Sequence, residues 1–116
     1  MNEGDIALTP LAQANGAIKN RPAVVLRKMP PFGDLLVCGI SSQVRQTAVG
    51  FDDIVEPFHP DYASSGLKKS SVIRLGFLAV LPSSHFSGSI GVISPERHKR
   101  LLTRLSEYLR PALSRP

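Results

Sequence analysis

The sequence predicts a mainly β protein, a small antiparallel barrel or sandwich with one α-helix at its C-terminal end. Three observations lead to this prediction. Ten prolines and nine glycines punctuate the 116-residue chain. Between them lie short runs rich in Val, Ile and Leu, as is typical of all-β domains with frequent turns. From residue 94 onwards, the spacing of apolar residues changes to that of a helix.

Seven apolar runs are predicted to be strands. The run 34–41 is almost continuously apolar, which indicates a strand covered on both faces. Pro22 has no backbone N–H and therefore suits the first residue of a strand. The predicted strands are 4–9, 22–27, 34–41, 52–56, 71–75, 77–81 and 89–93.

The C-terminal helix has local signals at both ends. Ser94 is a typical N-cap, Pro95 fits the first helical position, and Pro111 is expected to end the helix. Leucines and one tyrosine recur at helical spacing and form an apolar stripe. The basic residues lie largely off that stripe: Arg97, Lys99, Arg100 and Arg104.

Three longer connections are predicted at 11–20, 47–53 and 57–69. The first contains Asn15-Gly16, a typical turn pair. The other two are polar, contain glycine and are expected to be mobile. Recognition residues commonly lie on such loops beside a rigid scaffold.

Composition excludes several classes of protein. With 42% hydrophobic and 20% charged residues, the chain is too apolar for intrinsic disorder. Its longest apolar stretches reach about six residues, whereas a membrane-spanning helix needs ~20. The acidic start of the chain is unlike a secretory signal, and the single cysteine, Cys38, forms no internal disulfide. We therefore expect one cytoplasmic domain, 1–116, that makes no contact with a membrane.

Positive charge is concentrated in the second half of the chain. Residues 1–61 carry five basic and seven acidic side chains, whereas residues 62–116 carry nine basic and two acidic ones. A basic half is typical of proteins that bind polyanions or acidic partners. A solvated basic helix face would give the same count, so both interpretations stay open.

Four strings in order along the chain carry a family resemblance: GDI at 4–6, NRPAVVL at 20–26, ISSQ at 40–43 and GLKKSSVIRL at 66–75. By these strings the chain resembles the MazF/PemK family of bacterial toxins over nearly its whole length. The resemblance implies a small SH3-like (MazF/CcdB-like) antiparallel β-barrel with a C-terminal α-helix. It further implies a homodimeric toxin of a type II toxin–antitoxin system, inhibited by a cognate acidic antitoxin.

The same resemblance implies an activity and its residues. Family members cut single-stranded RNA without a metal or cofactor, leaving 2′,3′-cyclic phosphate and 5′-OH ends. The family's catalytic arginine falls on Arg21, and its catalytic hydroxyl residue, usually threonine, falls on Ser41. A guanidinium grips two phosphate oxygens, and donors aimed at the charge of the transition state lower the barrier most. Without the resemblance, Arg21 would be interpreted as a surface arginine and Ser41 as a residue whose hydroxyl caps a turn.

Further residues are predicted to bind substrate. Single-stranded RNA is held by cations along its backbone and by aromatic rings on which bases stack. The loop aromatics Phe51, Phe58 and Tyr62 fit stacking and core packing equally well. The predicted substrate-binding residues are Lys19, Ser42, Gln43, Arg27, Lys68, Lys69, Arg74 and His59.

The sequence does not identify a general base. Arginine is a poor base because its pKa exceeds ~12. His59 lies in the long loop, His85 is a weaker candidate, and His98 is predicted to be at the surface. No group of residues has metal-ligand spacing, and Cys38 is predicted to be a buried small hydrophobe.

Two other functions remain as alternatives. One is a CcdB-like poison of a topoisomerase (gyrase), although the end of the helix lacks the tryptophan that such toxins present. The other is a non-catalytic RNA-binding barrel, which the serine at position 41 and the missing base leave open.

Overall fold

A computed structural model describes residues 1–12 and 15–111 of the protein. It confirms the predicted fold class, a mainly β chain that ends in one long helix. Two short 3₁₀ turns lie at Val44–Gln46 and Ser83–His85. The strands and helices are β1 (Asp5–Ala12), β2 (Ile18–Met29), β3 (Asp34–Ser41), β4 (Asp53–Val55), α1 (Tyr62–Ser65), β5 (Ser71–Leu81), β6 (Gly88–Val92) and α2 (Pro95–Leu109).

The six strands form one antiparallel sheet in the order β4-β5-β3-β2-β1-β6, curled into a half-barrel. β3 is buried on both faces, as its apolar run predicts. On one face, Cys38 and Ile40 pack with Leu101 of α2 in the larger core. On the opposite face, a smaller core includes Val37 and Phe86. The helix therefore covers only one side of the sheet.

The connection between β1 and β2 is shorter than predicted, because both strands extend into it as far as the pair Ala12 and Ile18. Its turn is confirmed: Asn15 Oδ1 accepts a hydrogen bond from the N–H of Ala17 at 3.0 Å, and Gly16 has a φ of +86°. Pro22 does not begin its strand, as β2 starts at Ile18. Its missing N–H costs no bond to β3 because the pairing of β2 with β3 begins one residue later.

The two runs predicted as separate strands, 71–75 and 77–81, form the single strand β5. The pairing explains why the sequence pattern is interrupted. Arg74 pairs with Gly39 of β3, whereas Leu78 pairs with Cys38. Three residues of β5 thus fall between two consecutive residues of β3, and a bulge of this kind bends a strand sharply.

The helix boundaries agree with the local signals. The Ser94 side chain accepts a hydrogen bond from the N–H of Arg97 at 3.1 Å, and α2 ends at Leu109, before Pro111. The loop predicted at 57–69 contains the single-turn helix α1. At the end of α1, a Cβ on Gly66 would lie 2.1 Å from the carbonyl oxygen of Ile90 in β6. Glycine at this position therefore allows α1 to approach the edge of the sheet.

Candidate functional site

Arg21 and Ser41 lie on neighbouring strands, at the same end of the sheet. The pairing of β2 with β3 ends at Ala23 and Gly39, and Arg21 and Ser41 each lie two residues beyond that pair. Both residues line a shallow depression of about 210 Å³.

The segment that follows α1 forms one rim of this depression. Gly66 takes the left-handed conformation that ends α1, with a φ of +73°. The exposed side chains of Lys68 and Lys69 follow on the rim. The hydroxyl of the buried Ser71 donates to the carbonyl oxygen of Lys69 at 2.9 Å. The rim lysines are therefore attached to a fixed backbone.

The depression is cationic. It is lined by one arginine and two lysines, and its lining within the described residues contains no carboxylate and no histidine: Leu8, Arg21, Pro22, Ile40, Ser41, Ser42, Gly66, Leu67, Lys68, Lys69, Ser71 and Ile90. Three cations around a concave surface attract a negatively charged ligand. The walls are otherwise largely aliphatic, which lowers the local dielectric and strengthens that attraction.

The Ser41 side chain has a local partner. Its Oγ accepts a hydrogen bond from the backbone N–H of Gln43 at 3.0 Å, the turn-capping contact that serine commonly makes. The bond uses a lone pair of the oxygen, so the hydroxyl proton can still be donated to a ligand. Capping the turn and binding an anion are thus compatible for this residue.

Only some of the predicted substrate-binding residues lie at the depression. Ser42 lines it, and Gln43 follows directly in the chain. Lys19 is exposed on β2, two residues before Arg21. Arg27 is six residues beyond Arg21 on the same strand, a separation of roughly 20 Å, and its Nε lies 3.3 Å from the carboxylate of Glu3.

Arg74 and His59 lie outside the lining of the depression. The guanidinium carbon of Arg74 is 4.7 Å from the ring centroid of Phe77. Nδ1 of His59 accepts a hydrogen bond from the N–H of Glu56 at 2.9 Å, and its ring contacts that of Phe58. These two residues are therefore engaged in contacts within the fold and do not line the depression.

The predicted loop aromatics do not line the depression either. The ring of Phe51 contacts that of Tyr108, with centroids 4.9 Å apart. Phe51 and Tyr62 also pack against the larger core, whereas Phe58 is exposed beside His59. His98, predicted to be at the surface, is half-buried, and its Nε2 lies 2.8 Å from the carbonyl oxygen of Leu26.

The alternative of a solvated basic face on α2 does not hold for Arg97, which is only 4% exposed. Its guanidinium lies 2.8 Å from a carboxylate oxygen of Asp61 and 2.7 Å from one of Asp53. Arg100 and Arg104 also bind Asp53, at 2.9 and 3.1 Å. The spacing of these arginines at 97, 100 and 104 places them on one helix face, and it is the signal that could have indicated a shared acidic partner.

These contacts shift the ionisation of the buried groups. Hydrogen bonds from Arg97 hold the pKa of Asp61 well below its usual range, against the opposing effect of burial. Burial alone would raise the pKa of Asp53, but hydrogen bonds and charges of Arg100 and Arg97 lower it overall. Burial likewise opposes the charge of Arg97, and Asp61 and Asp53 raise its pKa above the usual value. The cluster is therefore fully charged near neutral pH.

A larger apolar groove lies between the C-terminal end of α2, the loop at 48–51 and the second half of β5. It has a volume of about 870 Å³. Val49, Tyr108 and Leu109 on its lining are 96%, 72% and 67% exposed. Large apolar side chains exposed together commonly mark an interaction surface. We refer to this feature as the α2 groove.

Comparison with known proteins decides the family. The profile of the PemK-like, MazF-like toxins of type II toxin–antitoxin systems matches residues 2–109. The chain belongs to this family. The toxin is also similar in fold to the Mycobacterium tuberculosis toxin MazF-mt6, with a TM-score of 0.62 and 22% sequence identity over 89% of this chain and 93% of that one. A comparison with curated proteins found no match.

Two structural features are absent from the described residues of this PemK/MazF-like toxin. Within residues 1–12 and 15–111, no three His, Cys, Asp or Glu side chains are grouped so as to hold a metal ion. Over the same residues, no helix has the length and apolar character needed to cross a bilayer.

Proposed function

We propose that this toxin is an endoribonuclease that cuts single-stranded RNA in a sequence-specific manner, without a metal or cofactor, in the cytoplasm. The observation that carries the proposal is that Arg21 and Ser41 line one depression together with two lysines. A cationic surface of this kind suits a phosphodiester. Membership of the family supports the reaction class. The shared depression supports the choice of Arg21 and Ser41 as the residues that act on the phosphate.

In the proposed reaction the 2′-oxygen of a ribose attacks the adjacent phosphorus, and the bond from phosphorus to the 5′-oxygen breaks. A 2′,3′-cyclic phosphate and a 5′-hydroxyl result. Arg21 donates two hydrogen bonds to the non-bridging oxygens as their charge grows, and the hydroxyl of Ser41 donates a third. Water accepts the proton of the 2′-hydroxyl, and another water molecule protonates the leaving 5′-oxygen.

The test is cleavage of end-labelled single-stranded RNA by the purified chain in EDTA. We expect discrete products with cyclic phosphate ends. Arg21→Ala should reduce the rate at least 100-fold, since removal of one such donor costs roughly 10²–10³ in rate. Arg27→Ala is the matched control, because it removes an exposed arginine from the other end of the same strand.

Four outcomes would contradict the proposal. Arg21→Ala that remains folded and cuts at the wild-type rate would refute the role of this residue. Loss of cleavage in EDTA, restored by a divalent ion, would refute the metal-free reaction. A wild-type chain that binds RNA without cutting it would support the non-catalytic barrel, and one that instead inhibits gyrase would support the CcdB-like poison.

The proposed antitoxin contact uses the same depression. Proteins of this family act in toxin–antitoxin pairs, and we propose an acidic antitoxin segment that lies across Lys68 and Lys69. Its carboxylates would supply the negative charge that the lining lacks. Lys68→Glu combined with Lys69→Glu should weaken the toxin–antitoxin complex at least tenfold in calorimetric titration. Unchanged affinity would place the contact elsewhere.

We also propose that the toxin forms a homodimer through the α2 groove. A chain of 116 residues buries only ~65% of the surface of its unfolded state, so apolar pairing adds stability. Light scattering at micromolar concentration should give twice the mass of the chain. Tyr108→Asp, in the groove, should give the single mass, whereas Phe58→Asp, exposed elsewhere, should not. A monomeric wild-type chain would refute the dimer.

A further inference from the structure

A second cleft opens on the face of the sheet opposite α2. It has a volume of about 180 Å³, and its walls are mostly apolar. Ala23 and Val37 form its floor, and Phe77 forms one wall. Thr9 of β1 contributes the single hydroxyl of the described lining. We refer to this feature as the Thr9 cleft.

The hydroxyl of Thr9 is buried without a partner. The residue is 4% exposed, and its Oγ1 has no hydrogen-bond partner among the described residues. Buried polar atoms are nearly always hydrogen-bonded, because an unmade bond leaves the cost of desolvation uncompensated. A threonine that is left unsatisfied in an apolar cleft points to a ligand with a polar edge.

Thr9 lies beside Arg21 on the neighbouring strand. Thr9 pairs directly with Arg21 in the register of β1 against β2, so their Cα atoms are roughly 5 Å apart and both residues project to the same face. The strand residues of the cleft (Thr9, Ala23 and Gly39) alternate with those of the depression (Leu8, Pro22 and Ile40), so the two hollows lie on opposite faces of the sheet, and the link from Thr9 to Arg21 is their direct pairing. A ligand with its phosphate on Arg21 therefore has its neighbouring groups within reach of Thr9.

The wall formed by Phe77 suits a flat ring. Its side chain is 64% exposed, and the guanidinium of Arg74 lies 4.7 Å from the ring centroid. Gly39 lies against this wall, and a Cβ there would contact the Phe77 ring at 3.4 Å, an ordinary van der Waals distance. Exposed aromatic rings beside a cationic groove are the usual platforms for bases of single-stranded RNA.

The cleft has room for one aromatic ring. An enclosed apolar cavity of ~150 Å³ accepts benzene, and the Thr9 cleft, which is open on one side, has about 180 Å³. The six-membered ring of a pyrimidine fits within this volume. Threonine can both donate and accept a hydrogen bond, so its hydroxyl can pair with a carbonyl, a ring nitrogen or an amino group of a pyrimidine.

We propose that the Thr9 cleft receives a pyrimidine base next to the scissile phosphate, with the Thr9 hydroxyl bonded to the edge of the base. This inference rests on the proposed RNA substrate and adds a specificity-determining residue to it. Phe77 packs against the ring, while Arg21 holds the adjoining phosphate. Thr9 acts on the choice of base and takes no part in the chemical step.

The first test measures binding without cleavage. Methyl NMR signals of Thr9, Ala23 and Ala79 are followed while UMP, CMP, AMP or GMP is added to the full chain. We expect saturable shifts with UMP or CMP and at least fivefold weaker binding of AMP and GMP. Absence of shifts with all four nucleotides, or equal binding of the purines, would overturn the inference.

The second measurement uses Thr9→Val, which preserves the shape of the side chain and removes the hydroxyl. Because the hydroxyl lacks a partner, the variant should unfold at a temperature no lower than that of the wild type. Its affinity for the pyrimidine nucleotide should nevertheless fall about tenfold. Thr103→Val, at an exposed position on α2, is the control and should bind as the wild type does. A Thr9→Val protein that melts lower and binds normally would assign the hydroxyl a structural role.

The third measurement separates this inference from the proposed function. With a pool of RNA sequences, wild-type cleavage sites should share a pyrimidine at one position, and Thr9→Val should relax that position alone. Unchanged preference in an active Thr9→Val protein would overturn the inference and leave the ribonuclease proposal intact. A wild-type chain that does not cut RNA would refute the ribonuclease, and the nucleotide titration would still decide whether the cleft binds a pyrimidine.

Discussion

Replacing Arg97 by methionine is expected to lower the free energy of unfolding by about 3–5 kcal/mol, the usual cost of removing one partner of a buried ion pair. The guanidinium donates to both carboxylate oxygens of Asp61, at 2.8 and 2.9 Å. It also donates to Asp53 at 2.7 Å and to the carbonyl oxygen of Ile54 at 3.1 Å. All four bonds are lost together in the variant.

The cost falls mainly on Asp61. Without Arg97, its carboxylate keeps the N–H of Ser94 at 2.9 Å but has no cation in the described cluster. Asp53 still has Arg100 and Arg104. The matched control is therefore Arg100→Met: its side chain is 42% exposed, so its loss should cost only about 0–1 kcal/mol.

Urea unfolding of the two variants measures the difference. Both should keep the wild-type dependence on urea, so that a shift in midpoint reports stability directly. Asp61→Asn and the double variant with Arg97→Met complete a thermodynamic cycle, which should give a coupling energy of at least ~1.5 kcal/mol. Equal losses for Arg97→Met and Arg100→Met, or no coupling, would show that the buried pair does not hold α1 to α2.

The cluster also sets the response to acid. Hydrogen bonds from Arg97 hold the pKa of Asp61 below its usual value in the folded protein. The carboxylate of Asp61 therefore binds a proton more readily in the unfolded chain than in the folded one. Stability from Asp61 is therefore fully present above the unfolded pKa of ~3.9 and is lost as pH falls towards the folded pKa. Asp61→Asn should be less stable at pH 7 and should lose less stability between pH 5 and pH 2. A parallel acid profile for the wild type and this variant would contradict the assignment.

Three further predictions concern the depression and the core. Ser41→Ala should slow RNA cleavage by roughly 10²–10³, whereas Ser41→Thr should retain most of the rate, and equal rates for the two would exclude the hydroxyl from the reaction. Lys68→Ala and Lys69→Ala should each weaken RNA binding and reduce the slope of log affinity against log salt by about 0.7, while Arg110→Ala, beyond the end of α2, should leave the slope unchanged. The Cys38 thiol should resist thiol reagents at pH 8 in the folded protein and react when urea is added, because burial raises its pKa to about 12. Rapid labelling of the native protein would contradict this and show that the core opens at this strand.

The parts of the fold that follow local rules were predictable from the sequence. Ser94 and Pro95 mark the start of α2 through capping chemistry within one turn of helix. The apolar run at 34–41 identifies the central strand because both of its faces need cover. The bulge in β5 depends on how Arg74 and Leu78 pair with β3, and such pairing is not encoded by residues near it in sequence.

The same distinction applies to the candidate site. Arg21 and Ser41 emerged from motifs in the family resemblance, and both line one depression of the structure. The partners of Arg97 lie 36 and 44 residues away in the chain, so the spacing of the helix arginines could suggest an acidic partner but could not identify Asp53 or Asp61. Thr9 had no signal at all, since an unsatisfied hydroxyl becomes visible only when its surroundings are known.

The positive charges of the toxin fall into two groups, one in buried ion pairs and one at the depression. Arginines of α2 neutralise Asp53 and Asp61, so they add little to the field outside the protein. The described lining of the depression contains Lys68 and Lys69 and no carboxylate. The two sets are linked through the chain, because Asp61 precedes α1 and α1 leads through Gly66 to the rim lysines. The buried ion pairs thus hold in place the segment that carries Lys68 and Lys69.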